Sequence, residues 1–347
     1  MKQFDIFNPP VSQVAKGLEG KVITLMGNNS TGKTEQATNF PKPLHLSFEK
    51  GLNAIPGVPY FPLNSWSDFQ TIIRQLTLPS NIEKIKEQYK TIIFDEVYTA
   101  ANYCQESICK AHGVATIGEG KGGFGYWKEY EVAFWKEVDK LLGLGAATGI
   151  TLVFIIHTEK NQEGQFVPKG DKRSVDPIID NSDIVAFLKS NGVDEKGQPL
   201  KSSAFFVETP QWFARTRFKH MVPALKEFTA ENLRKAIEDA VQKTAEESGT
   251  GAVTFEEKNV AVEEKQVKIS REEALEKIKN LGMALAKAGH ANQANDIVKE
   301  VLGTKEMADG SIETIKPNEV HENETDKLHV LALDLENYAE ANGVEVE

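Results

Sequence analysis

Between residues 20 and 190 the chain alternates short apolar runs with longer stretches of helical period. KVITLM (21–26), LHLSFE (44–49), TIIFDE (91–96), TLVFIIH (151–157) and DIVAFLK (183–189) are brief and rich in β-branched and aromatic residues, so they predict five strands. The first four are near-continuous apolar runs, the mark of strands buried on both faces of a mainly parallel sheet. SSAFFVE (202–208) and QWFARTRF (211–218), separated by Thr209 and Pro210, predict an antiparallel pair at the sheet edge. Helices fit 33–39, which Pro41 soon ends, then 67–78, 97–112, 127–142 and 230–243. Strands and helices in alternation predict an α/β domain.

From 244 to 270 sustained periodicity is lost and Glu, Gly and small residues dominate, which predicts a flexible linker. Beyond it, Leu275, Ile278, Leu285, Ile297, Val298 and Val301 fit an amphipathic helical pair broken near Gly289, and DKLHVLALDLENYAEAN fits a further helix. The expected organisation is a core over 1–243, a linker over 244–270 and an acidic helical accessory region over 271–347.

Composition changes this picture at one point. The net charge of -11 argues against a nucleic-acid partner until it is divided. Residues 244–347 carry 11 Lys and Arg against 23 Asp and Glu, whereas residues 1–243 carry 29 against 28. The acidity therefore belongs to the tail, and the body is free to gather its cations on one face. Cys104 and Cys109 do not fit a disulfide framework or a zinc site and are expected as buried fillers. No apolar stretch is long enough to span a bilayer, and MKQFDIFNPP has no signal-peptide core. A cytoplasmic protein without membrane contact is expected.

The strongest chemical signal is GNNSTGKT, made of Gly27, Asn28, Asn29, Ser30, Thr31, Gly32, Lys33 and Thr34. It follows a predicted strand and opens a predicted helix, as the phosphate-binding pattern G-x-x-x-x-G-K-[ST] requires. Glycines let the backbone wrap a polyphosphate, amides and the helix N-terminus supply positive potential, and Lys33 reaches the terminal phosphates. Thr34 and the strand-end Asp95 are the expected holders of Mg2+, and ATP is the expected nucleotide. Hydrolysis also needs a group that orients or deprotonates water. Glu49 and Glu96 both qualify, and the sequence leaves the choice open. His157 ends its strand beside the expected phosphates, where a polar side chain can sense them. Arg215 and Arg217 alternate on a strand and so share a face, available either to nearby carboxylates or to a nucleotide on a neighbouring subunit.

The phosphate loop, LHLSFE with its terminal Glu49, FDE at 94–96, IIH at 155–157 and ARTRF at 214–218 together resemble the RecA-like ATPases of phages. These are single-strand annealing proteins and recombination ATPases on a minimal RecA core, and the resemblance covers roughly 17–240. It implies a RecA-like P-loop NTPase core in which Glu49 activates water and His157 couples nucleotide state to DNA. It further implies that Arg215 and Arg217 insert into the adjacent subunit's nucleotide. Glu96 departs from the pattern, because the RecA group usually lacks an acid directly after its magnesium aspartate.

The same resemblance implies two loops that hold single-stranded DNA. Gly113–Trp127 mixes glycines with Lys121, Phe124, Tyr126 and Trp127, and Thr158–Asp176 carries Lys160, Phe166, Lys169, Lys172 and Arg173. The expected protein is an oligomeric Mg2+-dependent ATPase, ring or filament, that binds single-stranded DNA and promotes annealing or strand exchange. Its tail would meet a single-stranded DNA-binding protein or a replication protein. The rival is a nucleotide-switch adaptor, such as a helicase loader, whose ATP binding controls contact with a partner protein. A DNA-packaging motor would be expected to carry a nuclease domain with clustered carboxylates after the ATPase, and a metabolic kinase would need a lid and substrate-binding arginines, which are scarce outside Arg173, Arg215 and Arg217.

Overall fold

The computed structural model describes residues 2–4, 9–49, 51–121, 124–249, 251–263, 266–268, 270–307 and 309–345. Its elements in chain order are β1 (Lys2–Phe4), β2 (Val22–Gly27), α1 (Lys33–Thr38), β3 (Pro43–Ser47), β4 (Tyr60–Pro62), α2 (Trp66–Leu76), α3 (Ile82–Gln88), β5 (Thr91–Asp95), α4 (Val97–His112), α5 (Trp127–Thr148), β6 (Thr151–Lys160), β7 (Phe166–Pro168) and α6 (Lys172–Asn181). There follow β8 (Ile184–Lys189), β9 (Ser203–Phe205), β10 (Arg215–Thr216), β11 (Ala224–Leu225), α7 (Ala230–Ser248), α8 (Phe255–Glu263), β12 (Gln266–Lys268), α9 (Arg271–Lys287), α10 (Ala291–Leu302), β13 (Thr304–Glu306), β14 (Ile312–Thr314) and α11 (Thr325–Ala341).

The chain divides into a unit of residues 13–258 and a unit of residues 1–12 with 259–347. The larger is an α/β domain built on a mainly parallel sheet, as the alternation of strands and helices predicts. Strands β8, β2, β6, β5, β3 and β4 lie side by side in that order and run parallel. Their apolar runs serve both faces. Leu152, Phe154 and Ile156 of β6 join a core with α2, α4, α5 and α6, and Val153 and Ile155 join a second core with α1 and α7. A polar side chain at mid-strand needs a buried partner in such a sheet, so strand interiors are mostly apolar, Thr24 and His45 being hydrogen-bonded exceptions, and charged groups collect where strands end. Strand β6 stands between β2 and β5, so His157 emerges between the phosphate loop and Asp95.

Three expectations are corrected. The two edge segments do not pair with each other: β9 and β10 both pair antiparallel with β8, at its two ends. The turn at Thr209 and Pro210 closes within itself through Thr209 N and the Trp212 carbonyl, and Trp212 stacks on Phe187. With β2 on the other side of β8, one free edge serves both segments. Next, Thr158–Asp176 is not an open loop. It continues β6 into a hairpin with β7 and then enters α6, where the Asp171 side chain accepts from the Arg173 amide. Phe166 packs on Phe187 and pins the hairpin to the sheet. Finally, 244–270 is not one linker. Residues to 248 extend α7, 255–263 form α8, and the division between units falls inside α8. Phe255, whose ring packs close against Gly20 and Gly149, anchors that stretch to the core. Cys104 is a buried filler, while Cys109 is only partly buried.

The smaller unit packs α9, α10 and α11 around Ile278, Leu281, Leu285, Leu328, Leu331 and Leu335. The helix pair breaks at Gly289 as its pattern predicts, and Ser270 and Glu273 close a capping box at the start of α9. Among the described residues no helix is long and apolar enough to cross a membrane.

Candidate nucleotide site

The phosphate loop joins β2 to α1 at the carboxyl edge of the sheet. Gly27 lies against β8 so closely that a Cβ there would come within 2.6 Å of the Leu188 carbonyl oxygen. Only glycine fits. Gly32 takes a left-handed conformation and opens α1. Lys33 is buried, and its ammonium donates to the carbonyls of Gly27 and Asn28 at 2.8 and 2.9 Å, folded over the loop that would cradle the phosphates. Burial lowers its pKa to about 8 against the opposing pull of Asp95, Glu49 and Glu96. Thr158 Oγ1 donates to Asn28 Oδ1 at 2.8 Å, which ties the loop to the end of β6.

Thr34 Oγ1 donates to Asp95 Oδ2 at 2.8 Å. The approach of Gly51 is close, since a Cβ there would meet both groups at 3.7–3.8 Å. A hydroxyl beside a carboxylate is a hard-oxygen donor set suited to Mg2+. The same Asp95 oxygen bonds His45 Nε2 at 3.1 Å from a ring with no solvent exposure. Along the chain His45 carries one signal only, that of a lone histidine inside the apolar run of β3.

The two glutamates part company. Glu96 is buried and caps α4, accepting from Thr99 N, Tyr98 N and Thr99 Oγ1 at 2.8, 3.1 and 2.8 Å. Burial raises its pKa above the ordinary carboxyl range, with the Thr99 bonds opposing. Glu49 is exposed and faces His157 Nε2 and Thr99 Oγ1, each at 3.5 Å. Ligand atoms of Glu49, Glu96 and His157 all lie within 4.8 Å of one another. Lys33, Thr34, Asp95, Glu49, Glu96 and His157 are thus one site.

Arg215 and Arg217 are elsewhere. Strand β10 pairs with the beginning of β8, Arg215 opposite Val185, whereas the phosphate loop lies beside Leu188 at its other end. Both guanidinium groups donate to the Asp180 carbonyl, and they approach the carboxylates of Asp180 and Asp183 at 3.8 Å.

The two expected DNA segments meet at Arg173 and Trp127. Arg173 lies 5.0 Å from the centre of the Trp127 ring, joining one segment to the other. Lys169 lies over Tyr98, Lys160 over Phe166 and Lys121 over Tyr126, at 4.4, 5.1 and 4.6 Å. Lys172 is exposed at the start of α6, and Phe124 is 85% exposed. Gly122 and Gly123 of the first segment fall outside the described residues.

A parallel sheet with a phosphate loop after its central strand, and a metal-type aspartate two strands away, defines a P-loop ATPase. The chain belongs to the AAA-domain family, whose model matches residues 19–218. It is also 50% identical over 301 residues to the SPbeta prophage-derived uncharacterized protein YorG of Bacillus subtilis (strain 168), covering 86% of this chain and 90% of that protein.

Proposed function

We propose that the protein is an oligomeric, Mg2+-dependent ATPase that binds single-stranded DNA and promotes annealing or strand exchange in phage-type recombination. The observation that carries this reading is the meeting of the two basic segments beside the nucleotide site. Lys169 rests on Tyr98, two residues beyond Glu96, and Arg173 rests on Trp127. Rings flanked by cations suit stacked bases and a phosphate backbone.

Within this reading Lys33 would hold phosphate, and Thr34 and Asp95 would hold Mg2+, whose chemistry there would be to neutralise charge on the phosphates. Glu49 is the group that activates water, because its carboxylate is accessible and faces His157, whereas Glu96 is committed to capping α4. Arg215 lies about 10 Å and Arg217 about 17 Å along β8 from the level of the phosphate loop, by strand rise. Their phosphate contacts would therefore be to a neighbouring copy in a ring or filament. The acidic C-terminal unit would dock a single-stranded DNA-binding or replication protein.

ATP hydrolysis by the natural protein and by Lys33→Ala, with and without a long single-stranded oligonucleotide at low salt in Mg2+, tests the proposal. Stimulation by DNA that Lys33→Ala abolishes is expected. Slow hydrolysis indifferent to DNA would overturn it in favour of a nucleotide-switch adaptor.

A further inference from the structure

The Asp95 carboxylate is anchored from two sides, and only one of the anchors belongs to the phosphate-loop motif. Oδ2 receives Thr34 Oγ1 at 2.8 Å and His45 Nε2 at 3.1 Å. His45 comes from β3, which runs alongside β5 with His45 opposite Ile93 and Ser47 opposite Asp95. Leu44, Leu46 and Phe48 point into the core under α2 and α4, so alternation sends His45 to the other face, shared with Ile93 and Asp95. There His45 is the diagonal neighbour of Asp95 across the strand pair, within reach of a long polar side chain.

Burial makes this pairing informative. The ring has no solvent exposure, and its Nδ1 has no hydrogen-bond partner among the described residues. A fully buried imidazole with one bare nitrogen is a poor choice for filling space, since an aliphatic residue would pack there without an unsatisfied atom. What the imidazole adds is a single donor aimed at Asp95. The hydrogen bond assigns the tautomer: with Nε2 carrying hydrogen, the ring donates to the carboxylate, and a bare Nε2 would face it lone pair to lone pair.

We propose that His45 is a positioning residue that fixes the Asp95 carboxylate for the metal-bound nucleotide. This rests on the reading of Thr34 and Asp95 as the Mg2+ site. By donating to Oδ2 beside Thr34, His45 removes rotational freedom from Asp95 that Thr34 alone would leave. Asp95 would thus offer a metal a carboxylate already oriented, as hydrogen-bonded metal ligands commonly do.

The test compares His45→Gln, His45→Asn and His45→Leu by the Mg2+ dependence of binding of a fluorescent, non-hydrolysable ATP analogue. Binding of a fluorescent ADP analogue without metal is the control. Gln carries its amide nitrogen as many bonds from the backbone as Nε2, Asn one bond fewer, and Leu has no donor. His45→Gln is expected to keep the half-saturating Mg2+ concentration within about threefold. His45→Asn and His45→Leu should raise it about tenfold or more, the worth of one charge-assisted hydrogen bond, with metal-free ADP binding unchanged. Equal Mg2+ dependence in all three and the natural protein would overturn the proposal, as would equal shifts in Gln and Asn. Should Leu fail to fold, Gln against Asn decides. Failure of the natural protein to bind the analogue at any Mg2+ concentration would instead sink the nucleotide-site reading itself.

Discussion

Lys169 holds its ammonium 4.4 Å from the centre of the Tyr98 ring while its backbone N–H donates to the His157 carbonyl at 2.8 Å. Tyr98 in turn donates its own N–H to Glu96 Oε2 at 3.1 Å, and His157 faces Glu49 at 3.5 Å. One basic residue of the expected DNA surface is therefore linked along two paths to the two glutamates of the nucleotide site. Tyr98→Ala should lower the stimulation of hydrolysis by single-stranded DNA about threefold or more, while Tyr98→Phe, which keeps the ring, should match the natural protein. Steady-state hydrolysis with and without oligonucleotide reads this. Equal loss in both variants would assign the effect to the hydroxyl instead.

The roles proposed for the two glutamates can be separated by stability. Glu96→Ala should destabilise the fold by about 1–2 kcal/mol through loss of the α4 cap, measured by denaturant unfolding. Glu49→Gln should leave unfolding unchanged and reduce hydrolysis by about a hundredfold or more. Retained turnover in Glu49→Gln together with lost turnover in Glu96→Gln would exchange their roles.

Lys33 gives the nucleotide affinity a pH dependence. In the free protein burial brings its pKa down to about 8, and bound phosphate, being anionic, raises it again. Binding therefore takes up a proton at high pH. Affinity should be flat below about pH 7, about twofold weaker at pH 8 and about tenfold weaker by pH 9 in titrations with a fluorescent nucleotide, and Lys33→Met should bind weakly without that dependence.

Gly27 is constrained by β8 whether or not a nucleotide is bound. The 2.6 Å clash between an added Cβ and the Leu188 carbonyl means that Gly27→Ala must shift strand backbone. A loss of about 1–3 kcal/mol is expected, seen as a lower melting temperature without any nucleotide present. Gly32→Ala meets nothing within 4 Å, so its smaller cost should come from the left-handed backbone alone.

The sequence by itself determined the parallel sheet, the phosphate loop and the carboxylate at the end of β5, because these are written in contiguous residues. Strands buried on both faces must be continuous apolar runs, and a loop that wraps phosphate must place its glycines and lysine at fixed spacing. It also located the break between α9 and α10, where apolar period and glycine coincide. Tertiary structure alone decided which glutamate is committed to a helix cap, since Glu49 and Glu96 both read as acids at strand ends. It placed Arg215 and Arg217 away from their own phosphate loop, because strand pairing, not sequence order, sets which end of the sheet a residue occupies. It joined Trp127 to Arg173 and Tyr98 to Lys169, contacts across 46 and 71 positions of chain that no local pattern encodes. And it brought His45 under Asp95, where a single buried hydrogen bond gives meaning to a histidine that along the chain is one polar residue in an apolar strand.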